Sequence, residues 1–368
     1  RMVLRTMGRR PVRTTLTVAG IAAAMAIVIS GAFWRDAIGA LMDTQFNLVM
    51  RGDVTMVLLE ATPAAVRQDV ARLAHVKAVE GARSVPVRLV NGHRDWRGNL
   101  QGRDEAPALQ RIVDVQHRVF SVPTDGLLIT DRLADRLGLA LGSVVQVQRL
   151  DANRASFSVP VRAVVQEMMG MNAYIERRQL NQMLGEGDMV NQLSVLVERQ
   201  HEDAFLARLK DFPNVLVSVS KSLMVRNIEE VSTRNVLVFS AVLSVFAMII
   251  AIGVVYNHAR IALAERAWEL ASLRVLGFTR AEVSGFLLGE LALEIVMALP
   301  LGMLLGYGLA STIVEMIKTD EFYFPLVIAP ATYTYAVWCV LLAGAASALI
   351  VRRRIDRLDL IGVLKTRE

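Results

Sequence analysis

Four stretches of this chain are long, apolar and almost free of charged residues. They lie at 14–34, 236–257, 286–314 and 331–351, with about 200 residues between the first and the second. A helix of about 20 apolar residues crosses a hydrocarbon core of roughly 30 Å. The composition agrees, because 54% of the residues are hydrophobic, more than a water-soluble domain usually contains. The sequence therefore predicts an integral membrane protein with four spanning helices.

The first apolar stretch is similar to a secretory signal because arginines precede it. It is longer than a signal core, lacks a convincing cleavage site, and three further apolar stretches follow it. We therefore interpret it as the first spanning helix. The chain begins with Arg1 rather than methionine, which leaves open a processed product, a trimmed chain or the second half of a longer polypeptide.

Basic residues beside the spans predict the orientation, because short segments rich in arginine and lysine stay on the cytoplasmic side. The amino-terminal segment, the 258–283 loop and the tail are basic, whereas the 315–330 loop is not. We expect both termini in the cytoplasm and the 36–222 region outside it. This anchoring explains most of the net charge of +6, so the charge does not indicate nucleic-acid binding.

The region between the first two spans is long enough for a domain with its own core, and its pattern predicts an α+β fold. Asn91 and Gly92 separate two extended segments and predict a tight hairpin, because both tolerate positive φ. Thr62 and Pro63 predict the N-cap and first turn of a helix. Further strands are expected at 54–59, 144–148, 157–165 and 215–219.

Three further helices are predicted in this region. Thr130 can cap a short helix that Gly138 ends, and a second helix is expected at 202–210. Near the end of the region, apolar residues again follow helical spacing. We expect a stalk helix over 224–235 that continues without a break into the second span.

The charged stretch ERAWELASLRVLGFTRAEV, residues 265–283, lies between the second and third spans. From 259 to 276 no glycine or proline interrupts, and apolar residues recur on one face, which predicts an amphipathic helix at the cytoplasmic surface. Gly277 can end this helix, and Thr279 with Glu282 forms a capping box that starts the next. Two interpretations stay open: a simple connection between spans, or a lever held by a cytoplasmic partner.

The third span carries two acidic residues one helical turn apart, Glu290 and Glu294. An acidic residue near the centre of a spanning helix costs about 2.5 to 3.5 kcal/mol of insertion free energy, so neither should face lipid at mid-depth. One interpretation is a specific pair within the helix bundle, with Arg274 or Arg280 as partner. The other is snorkelling of the carboxylates at the cytoplasmic interface.

Farther along the third span, Gly302 and Gly306 form a Gly-x-x-x-Gly pattern after Pro300. Small residues at this spacing let helix backbones approach closely, and a proline introduces a kink. The pattern predicts a close helix contact, although it also arises by chance in apolar runs.

The sequence lacks the motifs of common catalytic sites. No lysine follows a glycine, so the chain contains no Gly-Lys-Ser/Thr phosphate-binding loop, and no Gly-x-Ser-x-Gly element is present. Cys339 lies in the fourth span and is expected to pack as a small apolar group. We expect no cofactor, metal or catalytic centre. The histidines show no His-x-x-x-His spacing and are interpreted as surface residues: His75, His93, His117, His201 and His258.

The order of one span, a large external domain and three spans resembles the FtsX/MacB-like permease family of ABC systems, which includes lipoprotein-releasing LolC/LolE-like subunits. Three stretches carry the resemblance: GRRPVRTTLTVAGIA at the first span, ERAWELASLRVLGFTRAEV followed by Glu290, and RRIDRLDLIGVLKTRE in the tail. GLLITDRLADRLGLALGSVVQV resembles the MacB-like periplasmic core domain. Glu294 and Pro300 depart from the family pattern, which has small or apolar residues there.

The resemblance implies a non-catalytic permease subunit, with ATP hydrolysis on a separate chain. The segment between the second and third spans would dock on that ATPase subunit. Stalk helices would then pass the motion to the external domain, for export or extraction of a lipid, lipoprotein or other hydrophobic substrate. By the resemblance, the ATPase-coupling residues are Glu265, Trp268, Glu269, Leu270, Leu273, Arg274 and Gly277.

The resemblance also implies the surroundings of the chain. We expect a multi-pass protein of the bacterial cytoplasmic (inner) membrane that contacts membrane lipids. It would pair with a second permease copy or a homologous module, as a dimer or pseudo-dimer. A periplasmic adaptor is a further expected partner, and nucleic acid is not. Family members occur as half-permeases and as two-module chains, and both remain open.

The predicted fold is an α-helical membrane protein with four transmembrane helices and a large α+β extracytoplasmic domain between helices 1 and 2. Alternatives from other classes are a membrane-anchored receptor with an external binding domain and an enzyme with an external active site. The expected parts are the basic segment and helix 1 (1–35), the external domain (36–222), the stalk and helix 2 (223–258), the coupling helix (259–283), helices 3 and 4 (284–351) and the tail (352–368).

Overall fold

A computed structural model describes residues 11–150, 156–209, 212, 214–230, 234–265, 279–317 and 323–357. The chain divides into two compact units. The helical unit comprises Arg1–Ala37, Ser232–Ile317 and Leu326–Glu368, and the sheet unit comprises Ile38–Val231 and Lys318–Pro325.

The elements of the sheet unit lie between the first and second long helices, so the predicted α+β domain is confirmed. In chain order the elements are α1 (Pro11–Asp43), a π-helical turn (Thr44–Val49), β1 (Val54–Pro63), α2 (Val66–Ala71), β2 (Val76–Asn91), β3 (Arg94–Arg103), β4 (Ile112–Val113), β5 (Val119–Phe120), β6 (Leu127–Thr130), α3 (Asp131–Leu137), β7 (Val144–Arg149), β8 (Ser156–Val165), β9 (Ala173–Glu176), α4 (Arg177–Met183), β10 (Met189–Val197), a 3-10 turn (Arg199–His201), α5 (Glu202–Leu209), β11 (Val215–Ser220), α6 (Lys221–Ile228), α7 (Arg234–Glu265), α8 (Arg280–Met316) and α9 (Pro330–Arg357).

Four of the described helices, α1, α7, α8 and α9, are long and apolar enough to cross a membrane. Each contains one of the four predicted apolar stretches, which confirms the prediction of four spanning helices. In the most apolar 18-residue stretch of α1, 72% is buried, whereas in the corresponding stretch of α7 the buried share is 22%. The first helix is therefore enclosed by the others, and α7 leaves most of its surface for lipid or a partner.

Glycines let α8 pack closely against α1. A Cβ atom placed on Gly306 would lie 2.6 Å from Ile29 Cδ1, and one on Gly302 would lie 2.8 Å from Met25 Cβ. Real side chains do not approach this closely, so only glycine fits here without a shift of α1. The predicted close helix contact of the Gly-x-x-x-Gly pattern is confirmed.

The long strand β2 organises the sheet unit. Its first part pairs with β10, which continues through β1 to β11, and its second part pairs with β3 and with β7. Because the order β3-β9-β6-β8-β7 returns to β2, six strands close into a ring. Val87, Leu100 and Ile129 belong to the apolar core of this ring. A second core lies between β1, β10, α2 and α5.

Two predicted turns are confirmed. Gly92 has φ +58° in the turn between β2 and β3, and Gly138 has φ +64° at the end of α3. Thr130 occupies the predicted N-cap position of α3, but its side chain makes no capping hydrogen bond in the described part of the chain. Its Oγ1 instead accepts a hydrogen bond from the backbone N–H of Asn172 at 3.1 Å, which joins β6 to the segment before β9.

The predicted helix start at Thr62 and Pro63 is wrong. Both residues lie in β1, opposite Val190 and Met189 of β10, and α2 begins after its N-cap Ala65. Pro63 is the last residue of the strand, a position where a missing N–H is tolerated. Pairing with β10 therefore outweighs the local preference of the Thr-Pro pair for a helix start.

A helix, α6, lies where the stalk is predicted to begin. Ser220 caps it, because its Oγ accepts a hydrogen bond from the Leu223 N–H at 3.2 Å. The prediction that this helix continues without a break into the second span falls on 231–233. Those residues lie outside the described part of the chain.

The third span begins with the capping box that the sequence predicts. Thr279 Oγ1 accepts from the Glu282 N–H at 3.3 Å, and Glu282 Oε2 accepts from the Thr279 N–H at 2.7 Å. On the other side of the loop, α7 continues to Glu265, so the first part of the predicted amphipathic helix is the end of the second long helix. The remainder, 266–278, lies outside the described residues.

Candidate functional site

The predicted ATPase-coupling residues lie almost entirely outside the described part of the chain. Glu265 is the last residue of α7, and α8 begins at Arg280. The coupling segment is therefore flanked by two helices whose packing the structure does describe. The coupling role of the other predicted residues stays a prediction, because they lie within 266–278, outside the described residues: Trp268, Glu269, Leu270, Leu273, Arg274 and Gly277.

Glu290 and Glu294 lie inside the helical unit. Their exposed fractions are 5% and 0%, which is inconsistent with snorkelling and favours a specific pair. Glu294 Oε1 lies 3.3 Å from Nε2 of His258 on α7. The described partner is thus a histidine, and the side chains of the expected partners, Arg274 and Arg280, lie outside the described residues.

The interpretation of His258 as a surface residue is wrong. It is only 6% exposed, and its Nδ1 lies 2.5 Å from Oγ1 of Thr17 on α1. On α7 it shares a buried face with Val255, Ala259 and Ala262. These small and apolar residues recur at helical spacing. That stripe is the signal in the sequence that would have placed His258 inside the bundle.

Side chains from α7 and α8 meet in what we call the bundle cluster: His258, Glu290 and Glu294. One nitrogen or carboxylate oxygen from each residue lies within 4.8 Å of those from the other two. A buried charge has to be paired, coordinated or neutralised. The contact between Glu294 and His258 is one such pairing.

A groove of about 500 Å³ reaches the bundle cluster from the start of α1. Pro11, Val12, Leu16 and Thr17 line it on the α1 side, and His258 is among the α7 residues that line it. His258 therefore contacts Glu294 on one side and borders the groove on the other.

A second buried polar contact joins α1 to the start of α9. Asp36 Oδ2 accepts hydrogen bonds from Thr332 Oγ1 at 2.6 Å and from the Ala329 N–H at 2.9 Å. Ala329 directly precedes α9, so the carboxylate satisfies one of the N–H groups at that helix start. This contact holds two spanning helices together and is structural.

The sheet unit has its own group of histidine and glutamate, the surface cluster of His75, Glu198 and His201. Glu198 Oε2 lies 3.1 Å from His75 Nδ1 and 3.4 Å from His201 Nδ1, and the side chains are 38% to 45% exposed. The two imidazole rings stack with their centroids 3.5 Å apart. The hydrogen bond from His75 lowers the pKa of Glu198 below its ordinary value.

Glu167 is a buried carboxylate of the sheet unit that neutral donors satisfy. Tyr174 Oη donates to it at 3.0 Å and Asn172 Nδ2 at 2.8 Å. Burial raises the pKa of Glu167 and that of Tyr174. These bonds fix the connection between β8 and β9, so Glu167 has a structural role.

Comparison with known families concerns the helical part of the chain. The sequence model of the FtsX-like permease C-terminal domain matches residues 241–360. This range contains all of α8 and α9, most of α7, and every residue of the bundle cluster. A search of curated proteins gave no match.

Two solved structures are similar to part of this chain. The periplasmic region of MacB from Actinobacillus actinomycetemcomitans is 13% identical, covers 51% of this chain and 97% of its own, and has a TM-score of 0.34. The extracellular domain of the noncanonic ABC-type transporter YknZ from Gram-positive bacteria is 16% identical, covers 42% of this chain and 90% of its own, and has a TM-score of 0.31.

Proposed function

We propose that this chain is an FtsX-like permease subunit of an ABC transporter and that it carries motion from a separate ATPase subunit to its sheet unit. The match of residues 241–360 to the FtsX-like permease C-terminal domain supports a membrane subunit that works with an ABC ATPase. The charges beside the spans support cytoplasmic termini and a sheet unit on the opposite side of the inner membrane. The chain itself then has a non-catalytic, mechanical role.

The observation that carries this proposal is that both connections into the sheet unit meet at one edge of its sheet. The chain arrives from α1 into β1 and leaves from β11 into α6, and these strands are antiparallel neighbours with Val54 opposite Ser220. Beside this pair, the Lys221 N–H donates to the Asp53 carbonyl oxygen at 2.8 Å. The two connections are therefore held side by side.

Helices that end at adjacent strands are suited to moving the sheet. α1 is one helix of 33 residues, about 50 Å long at 1.5 Å per residue, and this exceeds a hydrocarbon core of roughly 30 Å. The π-helical turn Thr44–Val49 follows it directly, and β1 begins at Val54. A shift at the cytoplasmic end of α1 would therefore be passed along the helix axis to β1, next to β11 and α6.

In this proposal the 266–278 segment docks on the ATPase, because it lies between α7 and α8 on the side that we assign to the cytoplasm. Closure of the ATPase subunits would displace both helices. The proposed cargo is a lipid, lipoprotein or other hydrophobic molecule that is exported or extracted, with a second permease copy or homologous module and a periplasmic adaptor completing the complex. The family resemblance supports these assignments.

The test is affinity purification of the tagged full chain from its native membranes, beside a variant with Leu270→Asp and Leu273→Asp. We expect a stoichiometric ATPase subunit with the parent and its loss with the variant. A matched control carries Leu141→Asp and Val144→Asp, two exposed positions of the sheet unit, and should retain the ATPase.

A chain that is purified alone in all three forms, under detergent conditions that preserve other ABC complexes, would contradict the proposed coupling. A receptor that acts without an ATPase would then be favoured. Retention of the ATPase by the Leu270 and Leu273 variant would instead rule out these two leucines as its docking residues.

A further inference from the structure

We propose that the surface cluster of the sheet unit is a binding site for one divalent transition-metal ion of the Zn²⁺ class, held by His75, Glu198 and His201. One nitrogen or carboxylate oxygen from each residue lies within 4.8 Å of those from the other two. The three ligands come from two segments, the turn before β2 and the chain after β10, so a bound ion would join these segments. The site does not depend on the proposed function.

The pairing of β2 with β10 brings His75 and Glu198 together. Val76 lies opposite Val197 at the end of this antiparallel pair, so His75 and Glu198 occupy the next positions outward. The Glu198 N–H donates to the His75 carbonyl oxygen at 3.0 Å and extends the ladder by one bond. Side chains at opposite positions of such a pair have Cβ atoms about 4.5 to 5.5 Å apart. The backbone therefore holds these two ligands at a short, fixed spacing.

A 3-10 turn brings His201 to the same place. This turn, Arg199–His201, follows its N-cap residue Glu198, and the His201 N–H donates to the Glu198 carbonyl oxygen at 2.8 Å. Because a 3-10 helix has three residues per turn, residues three apart lie on the same side of it. His201 therefore lies next to Glu198, and backbone hydrogen bonds fix the positions of all three ligand residues.

The distances between the ligand atoms suit a tetrahedral ion. Zn²⁺ binds histidine nitrogen and carboxylate oxygen at about 2.0 to 2.2 Å, so neighbouring ligand atoms lie roughly 3.3 to 3.5 Å apart. Glu198 Oε2 lies 3.1 Å from His75 Nδ1 and 3.4 Å from His201 Nδ1. Both separations are within a few tenths of an ångström of the tetrahedral value, so the carboxylate needs only a small shift.

The two imidazole rings have to turn when the ion binds. Their planes are 4° from parallel and their centroids lie 3.5 Å apart, whereas an ion lies near the plane of each ring that binds it. Rotation about the Cβ–Cγ bond of each histidine tilts the rings so that both Nδ1 atoms point to one centre. The side chains of His75 and His201 are 44% and 38% exposed, so they have room to turn.

The ligand set selects the class of metal. Mg²⁺ and Ca²⁺ prefer oxygen ligands, whereas two imidazoles with one carboxylate suit Zn²⁺ and its first-row neighbours. Two histidines and one glutamate are also a ligand set of known zinc proteins. Three protein ligands leave one position of a tetrahedral ion open, and in this exposed cluster water or an external ligand can fill it.

The test is titration of the full chain with Zn²⁺, by calorimetry and by elemental analysis after removal of unbound metal. The chain carries no polyhistidine tag, is reconstituted in nanodiscs and is stripped with a chelator beforehand. We expect one Zn²⁺ per chain with the parent. The affinity should fall more than about 10-fold with His201→Asn and with Glu198→Gln, because loss of an outer-shell partner alone costs about 10-fold to 100-fold.

The matched control is His93→Asn, because His93 is an exposed histidine of the same unit outside the surface cluster. We expect this variant to bind Zn²⁺ as the parent does. Absence of bound Zn²⁺ in the parent would overturn the proposal. Unchanged affinity in His201→Asn and Glu198→Gln, or an equal loss of affinity in the control, would also overturn it, because binding would then not depend on the surface cluster.

Cu²⁺ provides a second measurement that distinguishes the two clusters without a substitution. The surface cluster offers two imidazole nitrogens to one ion, whereas the bundle cluster offers one, from His258. Electron paramagnetic resonance of the parent with one equivalent of Cu²⁺ reports how many imidazoles bind the ion. We expect two. A spectrum with one bound imidazole or none would overturn the proposal.

Discussion

The bundle cluster and the surface cluster contain the same kinds of side chain in opposite surroundings. In the surface cluster, Glu198 accepts from His75 while water reaches both side chains, so solvent screens the pair and its effect on stability is small. In the bundle cluster, Glu294 is fully buried beside His258. Water does not reach that carboxylate, so its buried partners, His258 among them, have to satisfy it. Without a bound metal ion, the same chemistry therefore contributes little to the fold in one place and is a structural requirement in the other.

The sharpest test of this difference is to remove one histidine from each cluster. His258→Leu removes the described partner of the buried Glu294, and loss of one partner of a buried pair costs about 3 to 5 kcal/mol. His75→Asn should have a much smaller effect, because Glu198 stays solvated and asparagine tolerates the positive φ of +67° at this position. Thermal unfolding of the full chain in one detergent, followed by size-exclusion chromatography, measures both. If the two variants lose the same amount of thermal stability, burial does not distinguish the two clusters.

A second test separates packing from charge within the helical unit. Gly306→Ala places a Cβ against Ile29 of α1, and such overpacking costs about 1 to 3 kcal/mol. Gly308→Ala, two residues farther along α8, meets no described atom within 4 Å and should gain up to about 1 kcal/mol from helix propensity. The same unfolding assay measures the change in unfolding temperature that each variant causes. If both variants behave alike, the close contact between α1 and α8 does not contribute to stability.

The smallest effect is expected from acid on the surface cluster. The pKa of Glu198 lies below its ordinary value in the folded chain, chiefly because of the hydrogen bond from His75. The charged carboxylate therefore stabilises the fold above the unfolded-state pKa of about 4.3, and this contribution is lost as the pH falls through the lower folded-state pKa. The difference in thermal unfolding midpoint between the parent and Glu198→Gln, measured without metal from about pH 6 to pH 3, should become smaller as the pH falls. A difference that grows on acidification would contradict the direction of the shift.

The features that sequence reasoning predicted correctly depend on neighbouring residues. The four long helices follow from the length of each apolar stretch, the β2–β3 hairpin from Asn91 and Gly92, and the start of α8 from Thr279 and Glu282. In each case the structure forms within one window of sequence. The helix start at Thr62 and Pro63 was predicted wrongly because pairing with β10, more than 100 residues away in the chain, overrides the local preference.

The sequence by itself determined that this chain crosses a membrane, because an apolar stretch of sufficient length partitions into lipid whatever its neighbours are. It also showed that Glu290 and Glu294 needed an explanation, since their insertion is costly. Only the tertiary structure decided what stands beside them. His258 lies beside Glu294 and contacts Thr17, which is 241 residues away in the chain. Both contacts depend on how each helix is rotated and packed. The spacing of residues along the sequence does not specify that rotation.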